Sequence, residues 1–262
     1  MSNSWHWHSE TESPYLTTRL LERWPHGFFT RLSWPSQPPE LNSQLDAAAK
    51  IYRAKQVHGN RVLSPEEFDR EKSDFAIESE KRPEADAVIT SAPHQAVWVC
   101  SADCTPVLIA DEDTQRVAAI HAGWRGTALR IVPKAIEKMQ AQGSQIKNLR
   151  IAMGPAIAGE VYQVTTHVAA EVGRSLEITA KDDEDLVTKL MAVEDPPILP
   201  DAENGRLRLD VRRINTLQLL EIGIQPEHID IAPYCTYQTP EKFFSYRRTH
   251  EKKVQWSGIV SR

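Results

Sequence analysis

One cysteine and two histidines stand where apolar segments give way to small or polar residues. His58 closes the strand-like run Ile51 to Val57, Cys104 follows Ser101-Ala102-Asp103, and His121 follows Val117-Ala118-Ala119-Ile120. Each falls near the end of a predicted strand, and strand ends along one edge of a sheet can converge from distant parts of a chain. A thiolate and two imidazoles are a good ligand set for zinc, with water in the fourth position. The same softness suits copper, since two histidines and a cysteine form the core of a type 1 site. Singly, each residue has a plainer reading: a cysteine that only packs, and histidines satisfied by local partners. Spacing alone leaves both readings open.

Gly123-Trp124-Arg125-Gly126 follows His121 directly. Two glycines let the backbone turn tightly and approach a ligand. Arg125 offers a forked donor set for an oxyanion. A helix predicted to start at Thr127 would add free backbone N–H groups. Together these would hold a phosphate near His121; a plain strand-to-helix turn with a surface arginine fits the same residues. Asp103 and Asp86 are the carboxylates in position to move protons, or equally to cap turns.

The elements that must position these residues alternate in type. Ala87-Thr90, Ala96-Cys100, Val107-Ala110, Val117-Ile120, Leu149-Met153 and Ile229-Ala232 are short apolar runs with the character of buried strands. Leu129, Val132, Ile136 and Met139 recur at helical spacing within 127–142, with Gly143 as the stop and Pro133 awkwardly inside. Thr166-Leu176, Asp185-Ala192 and Leu209-Gly223 also have helical patterns. Ser33-Asn42, the charged stretch Asp69-Glu84 and the proline-rich Asp195-Asn204 are expected as loops. Met1-Pro14 is polar and expected to be a frayed or disordered tail, its His6-Trp7-His8 gripping metal only adventitiously. With no internal repeat and no long linker, the reading is a single α/β domain with mixed sheets over residues 15–262.

Composition narrows the function classes. Hydrophobic residues at 40% and charged residues at 26% suit a globular protein with a sizeable core. A net charge of −5 argues against a nucleic-acid partner. No apolar run has membrane-spanning length, and no basic segment precedes an apolar one, so the expected location is the cytoplasm, away from membranes. Three cysteines, Cys100, Cys104 and Cys235, are an odd number without regular spacing and suit a reducing compartment.

Several segments together resemble the laccase-domain family, also labelled multicopper polyphenol oxidase and more recently purine nucleoside phosphorylase. They are Lys55-Gln56-Val57-His58-Gly59, Glu84-Ala85-Asp86-Ala87, Ala102-Asp103-Cys104-Thr105-Pro106-Val107-Leu108 and His121-Ala122-Gly123-Trp124-Arg125-Gly126. Met153-Gly154-Pro155-Ala156-Ile157, Cys235-Thr236-Tyr237 and Phe243-Phe244-Ser245-Tyr246-Arg247-Arg248 continue the likeness, which runs from about Phe29 to the C-terminus. The resemblance implies an α-β-β-α sandwich and a zinc site at His58, Cys104 and His121. It implies phosphorolysis of adenosine, inosine, guanosine and methylthioadenosine, with adenosine deamination beside it. Purine nucleosides and phosphate are then the partners, and His58, Cys104, His121 and Asp103 the catalytic set. Arg125, with Arg31 and Arg247, is expected at the phosphate.

The chain also departs from the family's pattern. Leu32-Ser33-Trp34-Pro35-Ser36-Gln37 replaces a glycine- and serine-rich stretch after Thr30-Arg31, and Thr249-His250-Glu251-Lys252-Lys253 replaces a glycine-rich ending. Two rival functions follow from the same residues. A copper-dependent polyphenol oxidase with its own trinuclear centre needs about eight histidines, mostly in His-x-His pairs. Nine histidines are present, with one such pair, in the expected tail. A cysteine hydrolase or amidase, acting on peptidoglycan precursors as some relatives are linked to doing, would use Cys104 as nucleophile and His121 as base.

Overall fold

The computed structural model describes residues 4–74, 82–90 and 92–262, and among these it places fifteen strands and eight α-helices. The strands are β1 Trp5–His8, β2 Tyr15–Thr18, β3 His26–Phe29, β4 Lys50–Tyr52, β5 Val62–Leu63, β6 Ala87–Ile89, β7 Gln95–Ser101, β8 Thr105–Asp111, β9 Val117–Ala122, β10 Leu149–Met153, β11 Gln163–Thr165, β12 Ile198–Pro200, β13 Arg206–Leu209, β14 Ile229–Ile231 and β15 Gln255–Val260. The helices are α1 Pro38–Leu41, α2 Pro65–Asp74, α3 Trp124–Ala128, α4 Ile131–Ala141, α5 Thr166–Gly173, α6 Asp183–Ala192, α7 Val211–Glu221 and α8 Tyr246–Thr249.

Two mixed six-stranded sheets form the body, in the orders β1-β2-β3-β15-β7-β4 and β14-β10-β8-β9-β6-β5. Why they stack is visible in the alternation of side chains. In β9, Val117 and Ala119 enter one core with Leu108 and Ala110 of β8 and with Val97, Val99 and Ile259 of the other sheet. Ala118, Ile120 and Ala122 point the other way, into a second core with Ile131, Ile136 and Met139 of α4 and Leu219 of α7. A strand buried on both faces reads as a continuous apolar run. The outer face of the first sheet, with Phe29, Trp98, Trp256 and Val260, is covered by Leu41 of α1. The order is therefore helix, sheet, sheet, helix, the last layer thin. A small third sheet, β11-β13-β12, packs with α5 and α6 around Leu190, Ile198 and Leu209.

Five sequence expectations need correction, the first being the loop over Ser33–Asn42, which contains α1. The described part of the expected tail is not frayed: β1 pairs with β2, Trp5 is buried, and its indole N–H donates to Asp230 at 2.9 Å. The single helix over 127–142 is two, α3 and α4, parted at Arg130, whose φ of 58° is left-handed. Pro133 then sits in the first turn of α4, where its missing N–H has no helical partner to lose. The charged segment from Asp69 is helical as far as Asp74; Pro65 opens α2, and Ser64 and Glu67 exchange capping bonds of 2.7 and 3.4 Å. The remainder of that segment falls partly on 75–81, outside the described residues. The loop over 195–204 contains β12, an edge strand closed by Pro200. No helix among the described residues is long and apolar enough to cross a membrane.

Candidate metal centre

The alternation that builds the core also delivers the ligands. His121 continues the Val117–Ala119 parity of β9, and Cys104 continues the Leu108–Ala110 parity of β8 one residue before that strand begins. Both point between the sheets at one end. Asp86 shares the parity of Val88 in β6, which pairs with β9 as Ala87↔Ile120. His58 comes from the other sheet, on the segment that follows β4. The ligand atoms of His58, Cys104 and His121 all lie within 4.8 Å of one another. The two imidazoles meet edge to face with centroids 4.8 Å apart.

Asp86 organises this cluster. It is fully buried and accepts four hydrogen bonds. Oδ1 takes the His58 amide at 2.9 Å and His121 Nδ1 at 2.9 Å; Oδ2 takes the Val57 and Gly59 amides at 3.2 and 2.7 Å. The first effect is on the imidazole: Nδ1 carries the proton, so Nε2 is left for a ligand, the carboxylate–histidine pairing of metal sites. The second is on the backbone. His58 has a φ of 61°, a conformation that costs a non-glycine residue free energy, and three consecutive N–H groups converging on one carboxylate offset that cost. The hydrogen bonds and the His121 charge hold the Asp86 carboxyl below its usual range although burial opposes them.

The thiol and imidazole respond to one another. Burial would push Cys104 up, but the His121 charge and hydrogen bonds from His121 and His58 bring it down to about 6. Burial would pull His121 down, but Cys104 and Asp86 together raise it to about 9. The pair thus favours thiolate and imidazolium; thiolate is the form that binds metal, and a metal would displace the Nε2 proton while Asp86 keeps the one on Nδ1. Gly123 leaves the room for this: a Cβ there would stand 3.0 Å from Cys104 Sγ and 3.2 Å from His58 Cδ2. Gly126 lets the turn close on the His58 loop, since a Cβ there would stand 2.9 Å from the Gly59 carbonyl oxygen. His121 is 3% exposed, Cys104 half-buried and His58 exposed, so the cluster opens on one side. Three soft donors, a fixed tautomer and an open side fit a metal of the zinc or copper type. Among the described residues His58, Cys104 and His121 are the group of three or more such ligands that comes together.

The other expected site residues divide. Asp103 has a φ of 96° in the turn that links β7 of one sheet to β8 of the other; its oxygens accept from Thr236 Oγ1 and the Arg247 amide, both at 2.7 Å. Arg247 donates to the Gln163 carbonyl at 2.8 Å and lies 4.9 Å from the Tyr162 ring centroid. Arg125 is exposed, in α3 rather than before a helix, with its guanidinium 4.2 Å from the Trp124 ring. Tyr162, which sequence reasoning missed, ties these together. Burial and the charge of Cys104 raise its phenol to about 12, with Arg247 and Arg125 pulling against them. Arg31 is placed apart from this group: it donates to the Pro240 carbonyl at 2.6 Å and lies over the Phe244 ring at 4.9 Å. Cys235 is buried beside Ala158, whose amide donates to its sulfur.

The family model described as multi-copper polyphenol oxidoreductase laccase matches residues 39–260. The chain belongs to this laccase family. A protein of Synechocystis sp. named purine nucleoside phosphorylase is 56% identical over 259 residues, covering 98% of this chain and 97% of that one. A protein of an unknown prokaryotic organism named adenosine deaminase RL5 is 28% identical over 198 residues, covering 74% and 68%. The crystal structure of YfiH from Bacillus licheniformis superimposes with a TM-score of 0.79 at 24% identity over 98% of this chain and 99% of that one, so the two share a fold.

Proposed function

We propose that this laccase-family chain is a zinc-dependent purine nucleoside phosphorylase acting on adenosine, inosine, guanosine and methylthioadenosine, with adenosine deaminase activity at the same centre. The observation that carries the reading is the His58–Cys104–His121 cluster, whose Cys104 acts on the same Tyr162 phenol as Arg247 and Arg125, in a chain whose 56% identical relative bears the phosphorylase name. Residues 4–14 belong to the same domain as 15–262 in this reading, since β1 is part of the first sheet.

His58, Cys104 and His121 would hold the zinc, which supplies a Lewis acid and water of lowered pKa when bound. Arg125 offers its guanidinium to phosphate from an exposed position, and Arg247 does so from its seat on Tyr162. Asp103 positions Arg247 through the backbone amide, and Asp86 positions His58 and His121. Every oxygen of these two carboxylates already holds a donor, which supports positioning rather than proton transfer for both. Tyr162, kept protonated, can donate to an oxygen of the substrate. Arg31, which donates to the Pro240 carbonyl and lies over Phe244, is the third guanidinium offered to phosphate in this reading.

The test is product analysis on copper-free protein under nitrogen. Inosine with phosphate is expected to give hypoxanthine and ribose 1-phosphate, and adenosine to be deaminated without phosphate. Arg125→Ala is expected to raise the KM for phosphate more than about tenfold, at constant zinc content. Oxidation of phenols on return of copper and air, with no base released before, refutes the reading. The coupled Cys104–His121 pair held by Asp86 also favours a cysteine hydrolase as the second reading. About one zinc per chain, lost in Cys104→Ala, separates the two, because bound zinc occupies the nucleophile.

A further inference from the structure

Helix α7 carries two amide side chains on a face that is otherwise apolar. Asn215 and Gln218 are fully buried, among Val211, Ile214 and Leu219. Three residues apart on a helix, they share one face, and that face meets α3. Asn215 Nδ2 donates to Thr127 Oγ1 at 3.0 Å and to the Val211 carbonyl at 2.7 Å. Gln218 Nε2 donates to the Thr127 carbonyl at 2.9 Å and to Ser175 Oγ at 2.6 Å. Thr127 is fully buried in α3, the short helix that carries Trp124 and Arg125, and Ser175 lies in the turn after α5. One side chain of α7 therefore ties α3 to the end of α5.

Hydrogen-bond accounting does not explain Gln218. The Thr127 carbonyl also accepts the Arg130 amide at 2.9 Å, and Ser175 Oγ also donates to the Val172 carbonyl at 2.6 Å. Neither group would be left unpaired without the glutamine. Its own Oε1 is buried with no partner among the described residues, as is Asn215 Oδ1. Burying an amide oxygen unpaired costs free energy, and an apolar side chain of similar shape avoids that cost. A residue that breaks the local rule without a gain in stability is expected where function needs it. What Gln218 fixes is the place of α3. The Arg125 guanidinium is exposed and rests on the Trp124 ring, so its reach is set by where the α3 backbone lies.

We propose that Gln218, with Asn215 beside it, is a positioning residue for Arg125: it sets α3 against α7 and α5 so that the guanidinium meets the phosphate. The identity of the anion rests on the phosphorylase reading. The bracket itself does not touch phosphate, and its effect passes through the backbone of α3.

The experiment is a double-mutant cycle of wild type, Gln218→Met, Arg125→Ala and Gln218→Met/Arg125→Ala. Each zinc-loaded protein is titrated calorimetrically with orthophosphate, and its KM for phosphate and kcat are measured with inosine. Gln218→Met is expected to weaken phosphate binding about fivefold or more, and to raise KM more than it lowers kcat. In the Arg125→Ala background the same substitution is expected to change little, because the two act on one interaction. Amide hydrogen exchange at Thr127, Leu129 and Arg130 should quicken about fivefold, the fold-change of one neutral hydrogen bond. Denaturant unfolding should occur at the wild-type concentration or above it. Asn215→Leu is expected to act in the same direction and keeps the test valid if Gln218→Met misfolds. Unchanged phosphate affinity in Gln218→Met, or an equal loss in the Arg125→Ala background, overturns the proposal. A wild type that binds phosphate yet releases no base refutes the phosphorylase reading and leaves the titrations to decide this one; a wild type that binds no phosphate overturns both.

Discussion

Replacing Asp86 by Asn keeps the size of a fully buried side chain and changes only its hydrogen-bonding character. The carboxylate holds four N–H donors, two on each oxygen. The amide offers one acceptor oxygen and one NH2, so two of the four donors lose their acceptor. A hydrogen bond to a charged group contributes about 1.5–3 kcal/mol, so the direct loss is about 3–6 kcal/mol before relaxation. Relaxation has an obvious route. With the NH2 at the Oδ1 position, His121 can turn its tautomer over, accept at Nδ1 and carry its proton on Nε2. That nitrogen then cannot bind metal. With the NH2 at the Oδ2 position, the Val57 and Gly59 amides lose their acceptor and the His58 turn loosens. Either way the ligand set suffers, and metal affinity is expected to fall ten- to a hundredfold. The assay is competition with a chelator of known affinity, paired with denaturant unfolding of the metal-free protein. Metal affinity within a factor of two of wild type would refute the assignment of Asp86 as the group that fixes tautomer and turn.

Two further outcomes follow from the same geometry. Gly123→Ala adds a Cβ 3.0 Å from Cys104 Sγ, so metal affinity should fall about tenfold or more while the metal-free protein unfolds at nearly the wild-type denaturant concentration; equal metal affinity would show the cluster has slack. His26 is buried, with Nδ1 donating to the Trp24 carbonyl and Nε2 accepting from the Thr18 amide, and burial lowers it from 6.5 to about 4. As pH falls the unfolded chain binds this proton first, so the contribution is complete above pH 6.5 and about 3 kcal/mol is lost towards pH 4. Urea midpoints at pH 7 and 4.5 should converge in His26→Gln relative to wild type, and parallel slopes would discount His26.

The ligand set was legible because its signal is local. His121 sits two residues after the pair Val117 and Ala119, and Cys104 four residues before the pair Leu108 and Ala110 on the same parity, so parity and strand end can both be read along the chain. Asp86 was visible only as one of two carboxylates near the motifs; that it binds four donors depends on β6 pairing with β9 and on the parallel run beside His58. Tyr162 gave no signal, since a tyrosine beside a short 3-10 turn is ordinary until Arg247 is folded over it. Arg31, Arg125 and Arg247 look alike in sequence because charge type is local, whereas the aromatic ring each guanidinium lies over is not. The first strand was missed for a similar reason. Trp5 and Trp7 lie in a polar string, and the groups that hold them, Asp230 and Tyr234, are more than two hundred residues away.

Sequence by itself determined the buried strands of the second sheet, the helix period of α4 and α7, and the identity of the three metal-type donors. These are matters of side-chain period and chemical type, and both are written residue by residue. Tertiary structure alone decided where Pro133 falls in its helix, which carboxylate fixes His121, and that β1 joins the first sheet. Each of these is a question of register between segments far apart in the chain. Register is set by which apolar faces pack and which buried donors find acceptors, a condition on the whole fold that no local window contains.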